Sequence, residues 1–178
     1  LKGEKMRYLI GIVLVLSMAS CGVYTTTSSV SESIDSWSGE IVRSTDCAWV
    51  DLGVYNKICL DGRSTLNSPA GGVLTLRSRS GDDWRISSHG SLTIRVDGEE
   101  HSLEPISGHY NHEIDEEYNI LLGDIRIYAE SNEYAVSNSL LNDMGQAQKV
   151  DIRVSTTEGT YIMFTASDTN LFGQLCNK

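Results

Sequence analysis

From Trp37 onward the apolar residues recur mostly at every second position, and that period constrains the chain to strands more than to any other element. Leu92-Thr93-Ile94-Arg95-Val96 is the cleanest run, preceded by Val73-Leu74-Thr75-Leu76 and Trp84-Arg85-Ile86. Each has the pattern of a strand with one face in a core and the other in water. Asp97-Gly98 follows Val96 directly and predicts a hairpin that returns through His101 and Leu103. Turn residues also separate the other runs, at Ser80-Gly81-Asp82-Asp83 and at His89-Gly90-Ser91. Tyr118 to Tyr128 supplies a longer strand or two, interrupted at Gly123-Asp124. Val150–Ser155 and Thr160–Thr165 form a last pair about Glu158-Gly159. Arginines recur on the outward side of these runs (Arg77, Arg85, Arg95, Arg126, Arg153), where charge discourages unwanted edge pairing.

One stretch changes period. Leu140, Leu141, Met144 and Ala147 recur at helical spacing, with Ser137 placed to cap the first turn. Gly145 weakens this helix without forbidding it. A short C-terminal helix is expected from Asp168 to Cys176, capped by Ser167 and burying Leu171, Phe172 and Leu175. The expected fold is mainly β: an antiparallel β-sandwich or open barrel with one inserted short helix and a C-terminal helix. Residues 22–36, GVYTTTSSVSESIDS, are small, polar and without period, which is the composition of a flexible tether.

The first residues have a different character. Lys2, Lys5 and Arg7 give a basic flank, Tyr8 to Leu16 an apolar run, and Met18-Ala19-Ser20 leads into Cys21. The run is too short for a span, which needs roughly 20 apolar residues. This leader resembles that of bacterial lipoprotein precursors with their lipobox, with Met18 where leucine is usual, and Met6 is the more usual start. The resemblance implies cleavage before Cys21, a diacylglycerol thioether on its sulfur and an acylated new amino terminus. It also implies a division into a signal peptide at 1–20, a lipidated cysteine and tether at 21–36, and one β-rich domain at 37–178. Gly22 follows the cysteine where aspartate would favour inner-membrane retention, so in a Gram-negative cell the expected location is the outer membrane. Several chains on one cysteine anchor stably where a single chain binds only marginally.

Removing that leader takes Lys2, Lys5, Arg7 and Glu4 from the 14 basic and 24 acidic residues and moves the formal charge from −10 to −12. Such a balance opposes phosphate backbones, so nucleic acid is excluded as a partner. Three cysteines remain, Cys47, Cys59 and Cys176. Outside the cytoplasm an oxidised pair is expected. A hairpin folded about Gly53 would set Cys47 against Cys59, stabilising the fold by about 3 kcal/mol, although spacing alone leaves Cys176 open as a partner for either. No Cys-x-x-Cys pattern for zinc occurs.

Familiar catalytic patterns are missing: there is no Gly-x-Ser-x-Gly, Ser-x-x-Lys or His-Glu-x-x-His, and no catalytic residue is assigned. His109-Tyr110-Asn111-His112-Glu113-Ile114-Asp115-Glu116-Glu117 has the residue types for a divalent ion. A solvated loop between strands accounts for the same composition, and neither metal nor cofactor is assigned. Trp37, Trp49 and Trp84, with Tyr55 and Tyr110, have the chemistry to stack on sugars, though core or rim packing is the commoner use. Ser107-Gly108-His109-Tyr110 resembles, one residue short, the Ser-Gly-x-x-Tyr loop of periplasmic lysozyme inhibitors. The unit from Ala135 to Phe164 resembles a helix-then-hairpin unit of uncharacterised bacterial envelope proteins through Ser137, Leu140, Leu141, Met144, Ala147, Val150, Ile152, Arg153, Val154 and Gly159.

The expectation is therefore a non-enzymatic envelope lipoprotein, held at the membrane through Cys21 and binding an envelope or host protein or a cell-wall glycan. The alternatives are a lysozyme-inhibitor-like protein and a cell-wall enzyme with an unrecognised site.

Overall fold

A computed structural model describes residues 29–66, 71–81, 84–119, 123–166 and 168–176. Eleven strands and two helices are formed among them, and every strand pairing is antiparallel. The larger sheet is built on three long strands: β4 (Asn56–Thr65), β5 (Gly72–Ser80) and β9 (Gly123–Val136). Beside β9 lies β8 (Asn111–Asn119). On the other side of β4, β2 (Ile41–Thr45) pairs with its last residues and β3 (Val50–Gly53) with its first, while β1 (Val30–Ile34) forms the edge beyond β2. The smaller sheet has the order β11 (Tyr161–Thr165), β10 (Val150–Ser155), β6 (Leu92–Val96), β7 (Glu99–Leu103).

The alternation seen in the sequence is what joins the sheets. Ile58, Leu60, Leu74, Leu76, Tyr134 and Val136 from the large sheet form one buried cluster with Leu92, Ile94, Val150, Ile152, Val154 and Phe164 from the small one. This is a β-sandwich, not a closed barrel. The hairpin between β6 and β7 turns on Asp97 and Gly98, with φ of 47° and 101°. Positive φ at both central residues is what the tightest hairpin turn demands.

Helix α1 (Asn138–Gln146) carries the chain from the large sheet to the small one. Ser137 caps it, its hydroxyl accepting from the Leu140 N–H at 3.1 Å, and Leu140, Leu141 and Met144 are buried. Helix α2 (Asn170–Cys176) buries Leu171, Phe172 and Leu175. Its Leu175 carbonyl accepts from Ser64 Oγ at 2.7 Å, which docks α2 onto β4. The expected Ser167 cap lies outside the described residues.

Three expectations are corrected. The segment read as tether, 21–36, contains β1, which pairs along its whole length with β2. An edge strand with both faces largely solvated has no apolar alternation to reveal it, so composition misleads there. Trp84-Arg85-Ile86 is not a strand; only Ile86 makes a bridge, to Thr156, and its N–H is taken by the Glu130 carboxylate at 2.8 Å. The polar stretch after Tyr110 is not a loop but most of β8, paired residue by residue with β9. Acidic side chains suit an exposed edge, where they deter pairing with other chains.

Candidate functional site

The outward face of the small sheet gathers the most varied chemistry. Tyr161, Met163 and Thr165 come from β11, Asp151 and Arg153 from β10, Thr93 and Arg95 from β6. Antiparallel register sets Arg153 between Met163 and Thr93, and Asp151 between Thr165 and Arg95. Because side chains alternate along a strand, the odd-numbered residues of these three strands share this face while Ile94, Ile152 and Phe164 enter the core.

One row is charge-balanced within itself. Arg95 is ion-paired with Glu100, and Lys149 Nζ lies 2.7 Å from Asp151 Oδ2, whose other oxygen accepts from Thr165 Oγ1 at 2.7 Å. The Arg95 guanidinium holds the Glu100 carboxyl below its usual range, and Lys149, then Thr165, do the same for Asp151. Both acids are thus ionised at neutral pH. The next row holds a cation without a close ion pair. The Arg153 guanidinium lies 5.3 Å over the Tyr161 ring and reaches Thr93 Oγ1 at 3.4 Å; no carboxylate of the described residues lies within 4 Å of it, and it shares the longer-range attraction of Glu100 with Arg95. The Arg153 Nε is buried without a hydrogen-bond partner.

Beside this cation, Tyr161 is 64% and Met163 72% exposed. A hollow of about 370 Å³ lies across the face, with Thr93, Arg153 and Met163 in its lining. The arrangement offers an apolar surface next to a cation that shares the charge of Glu100 with Arg95 and has no salt bridge of its own. It suits a partner presenting an apolar side chain beside an anionic group. In the sequence Arg153 stands out as an outward arginine and as part of the helix-then-hairpin unit, whereas Tyr161 and Met163 do not stand out. The signal was there: an apolar residue at the outward positions of a strand otherwise read as half-buried.

The residues singled out from sequence fall elsewhere. Cys47 and Cys59 are joined by a disulfide, with 5.7 Å between their Cα atoms. Cys59 is fully buried although its odd register turns it away from the core. Cys176 is a free thiol, its pKa raised by burial. Cys21 lies outside the described residues.

His109 and His112 do not converge. His109 Nδ1 is 2.8 Å from Glu133 Oε2, whereas His112 stacks on Tyr128 with 6.1 Å between ring centroids. No cluster of three or more metal-ligating side chains occurs among the described residues. The Tyr110 hydroxyl donates to Glu130 Oε1 at 2.7 Å, and burial, then this carboxylate, pushes its pKa well above the usual phenol value. Glu130, which sequence reasoning did not select, is thus a buried pin holding Tyr110 and the Ile86 N–H together.

The three tryptophans share no face. Trp37 is 98% exposed in the β1–β2 turn, contrary to a core or rim role. Trp49 has Lys57 Nζ 5.2 Å over its ring, and Trp84 packs against the core.

Comparison with known protein families, with curated proteins and with solved structures finds no match to this chain.

Proposed function

We propose that this protein is a non-enzymatic interaction module of the cell envelope, held at the membrane through lipid on Cys21 and binding a protein partner on the outward face of its small sheet. The observation that carries the reading is the pairing of exposed Tyr161 and Met163 with Arg153, a cation without a salt bridge among the described residues in a chain of net charge −10. Aromatic and arginine side chains with accessible apolar neighbours are the usual anchors of protein interfaces. An acidic body with a locally cationic face also orients a partner before contact.

The turn that resembles the lysozyme-inhibitor loop supports the inhibitor reading less well. Two of its side chains are already partnered, His109 by Glu133 and Tyr110 by Glu130.

Two measurements test the proposal. Cells fed an alkyne-bearing fatty acid should label the wild type and not Cys21→Ala; an unlabelled wild type would overturn the anchor. Tyr161→Ala and Arg153→Glu should each weaken retention of the envelope partner by about tenfold, while Trp37→Ala leaves it unchanged. Equal retention by all three would overturn the assignment of the face.

A further inference from the structure

The exposed edges of the two sheets are built differently. β8 carries His112, Glu113 and Asp115, β7 carries Glu99, Glu100 and His101, and β1 carries Glu32. These are the charges by which natural sheets prevent edge-to-edge association. β11, Tyr-Ile-Met-Phe-Thr, has none.

Its free backbone groups can be assigned. Thr156 N–H donates to Thr160 C=O at 3.0 Å before the strand, and Ala166 N–H donates to Val150 C=O at 2.9 Å after it. Antiparallel pairs alternate between bonded and non-bonded, so the even-numbered residues of β11 bond to β10. Tyr161, Met163 and Thr165 therefore direct N–H and C=O to the outer edge, where no described strand pairs. The side chains of these same three residues line the exposed face.

We infer that β11 is a self-association edge: two copies of this chain pair β11 to β11, antiparallel, about a two-fold axis at Met163. The three outward-directed residues are symmetric about that position. Tyr161 of each copy meets Thr165 of the other, Met163 meets Met163, and every outward N–H finds a C=O. Nothing on the edge itself opposes this. The two Arg153 side chains, which lack a salt bridge, end up three strand spacings apart, about 14 Å, which exceeds the ~8 Å screening length of physiological salt. Any extended chain would meet the same backbone groups; a second copy brings in addition an edge of the same length that carries no charge. The paired face becomes an eight-stranded sheet with both hollows on one side. A contact through one short strand from each copy falls below the ~1,600 Å² of standard interfaces, so the dimer is a weak one. The inference does not depend on acylation of Cys21 or on what the face binds.

Sedimentation equilibrium of the purified full chain, from about 5 to 500 µM, tests it. Wild type should show a concentration-dependent dimer. Met163→Pro removes an N–H that β10 does not use, and Met163→Lys puts charge on the edge; each should weaken dimerisation by at least about tenfold with unchanged circular dichroism. A monomeric wild type throughout, or equal association of wild type and both folded variants, would overturn the inference. As a check independent of those variants, Met163→Cys should give a covalent dimer through position 163 on mild oxidation, located by peptide mapping. Absence of that linkage, or cross-linking only to a foreign polypeptide, would count against it.

Discussion

Gly145 and Gly173 give the sharpest stability prediction, because the same substitution at two touching glycines should have opposite weight. A Cβ at Gly145 would lie 2.3 Å from the Gly173 Cα and 2.4 Å from its nitrogen, both backbone atoms. A Cβ at Gly173 would meet nothing nearer than the Gly145 Cα at 3.2 Å. Glycine to alanine within a helix gains about 0.8–1 kcal/mol of propensity at either site. At Gly145 the two helices must move apart, and overpacking of that kind costs about 1–3 kcal/mol or more while loosening the buried Leu141, Met144, Phe172 and Leu175. Gly145→Ala should therefore destabilise by about 1–2 kcal/mol net, and Gly173→Ala, which asks for a shift of a few tenths of an ångström, should be nearly neutral. Equilibrium urea denaturation followed by tryptophan fluorescence reads both as shifts in midpoint at constant slope. A Gly145→Ala variant as stable as wild type, or a Gly173→Ala variant losing as much, would refute the close approach of α1 and α2.

The remaining predictions concern other parts of the fold. Replacing Cys47 and Cys59 together by alanine should cost about 3 kcal/mol, since the bond closes a loop with a sequence separation of 12; denaturation with and without reductant should reproduce the loss in wild type alone. The Asp97 carboxylate accepts from Gln148 N–H at 3.1 Å and Lys149 N–H at 2.8 Å, so Asp97→Ala should cost about 1 kcal/mol in thermal unfolding, and Asp97→Asn, which keeps an acceptor and tolerates positive φ, less. Burial pushes Tyr134 up to about 12, and Tyr110 is also raised. The fold thus favours the protonated phenols: their contribution is complete below about pH 10 and is lost as pH rises through 10 to 12, so stability should fall across that interval. Phenolate absorbance of the folded protein should show late-titrating tyrosines, and Tyr134→Phe should remove one.

What the sequence disclosed follows from where a residue's environment is decided. The hairpin at Asp97-Gly98 was legible because local backbone sterics select the turn. The helix after Ser137 was legible because cap and apolar spacing agree. The Cys47–Cys59 disulfide was one of the pairings the sequence left open; the hairpin that brings the two together turns at Val54 and Tyr55, just past Gly53. β1 was not legible, because its pairing depends on β2 and not on its own composition. The charged β8 read as a loop for the same reason: its strand conformation is imposed by the long ladder to β9. The candidate site stayed hidden because Arg153 and Tyr161 meet only through the β10–β11 register and its turn. The buried role of Glu130 depends on Tyr110 and Ile86, distant in sequence.

Photo-crosslinking in intact cells tests the interaction face most directly. With a photoreactive phenylalanine analogue in place of Tyr161, irradiation should yield a discrete adduct whose mass identifies either a partner or a second copy. The same analogue in place of Glu113, on the other sheet, should yield none. Absence of any adduct at position 161, or equal adducts at both positions, would contradict the account.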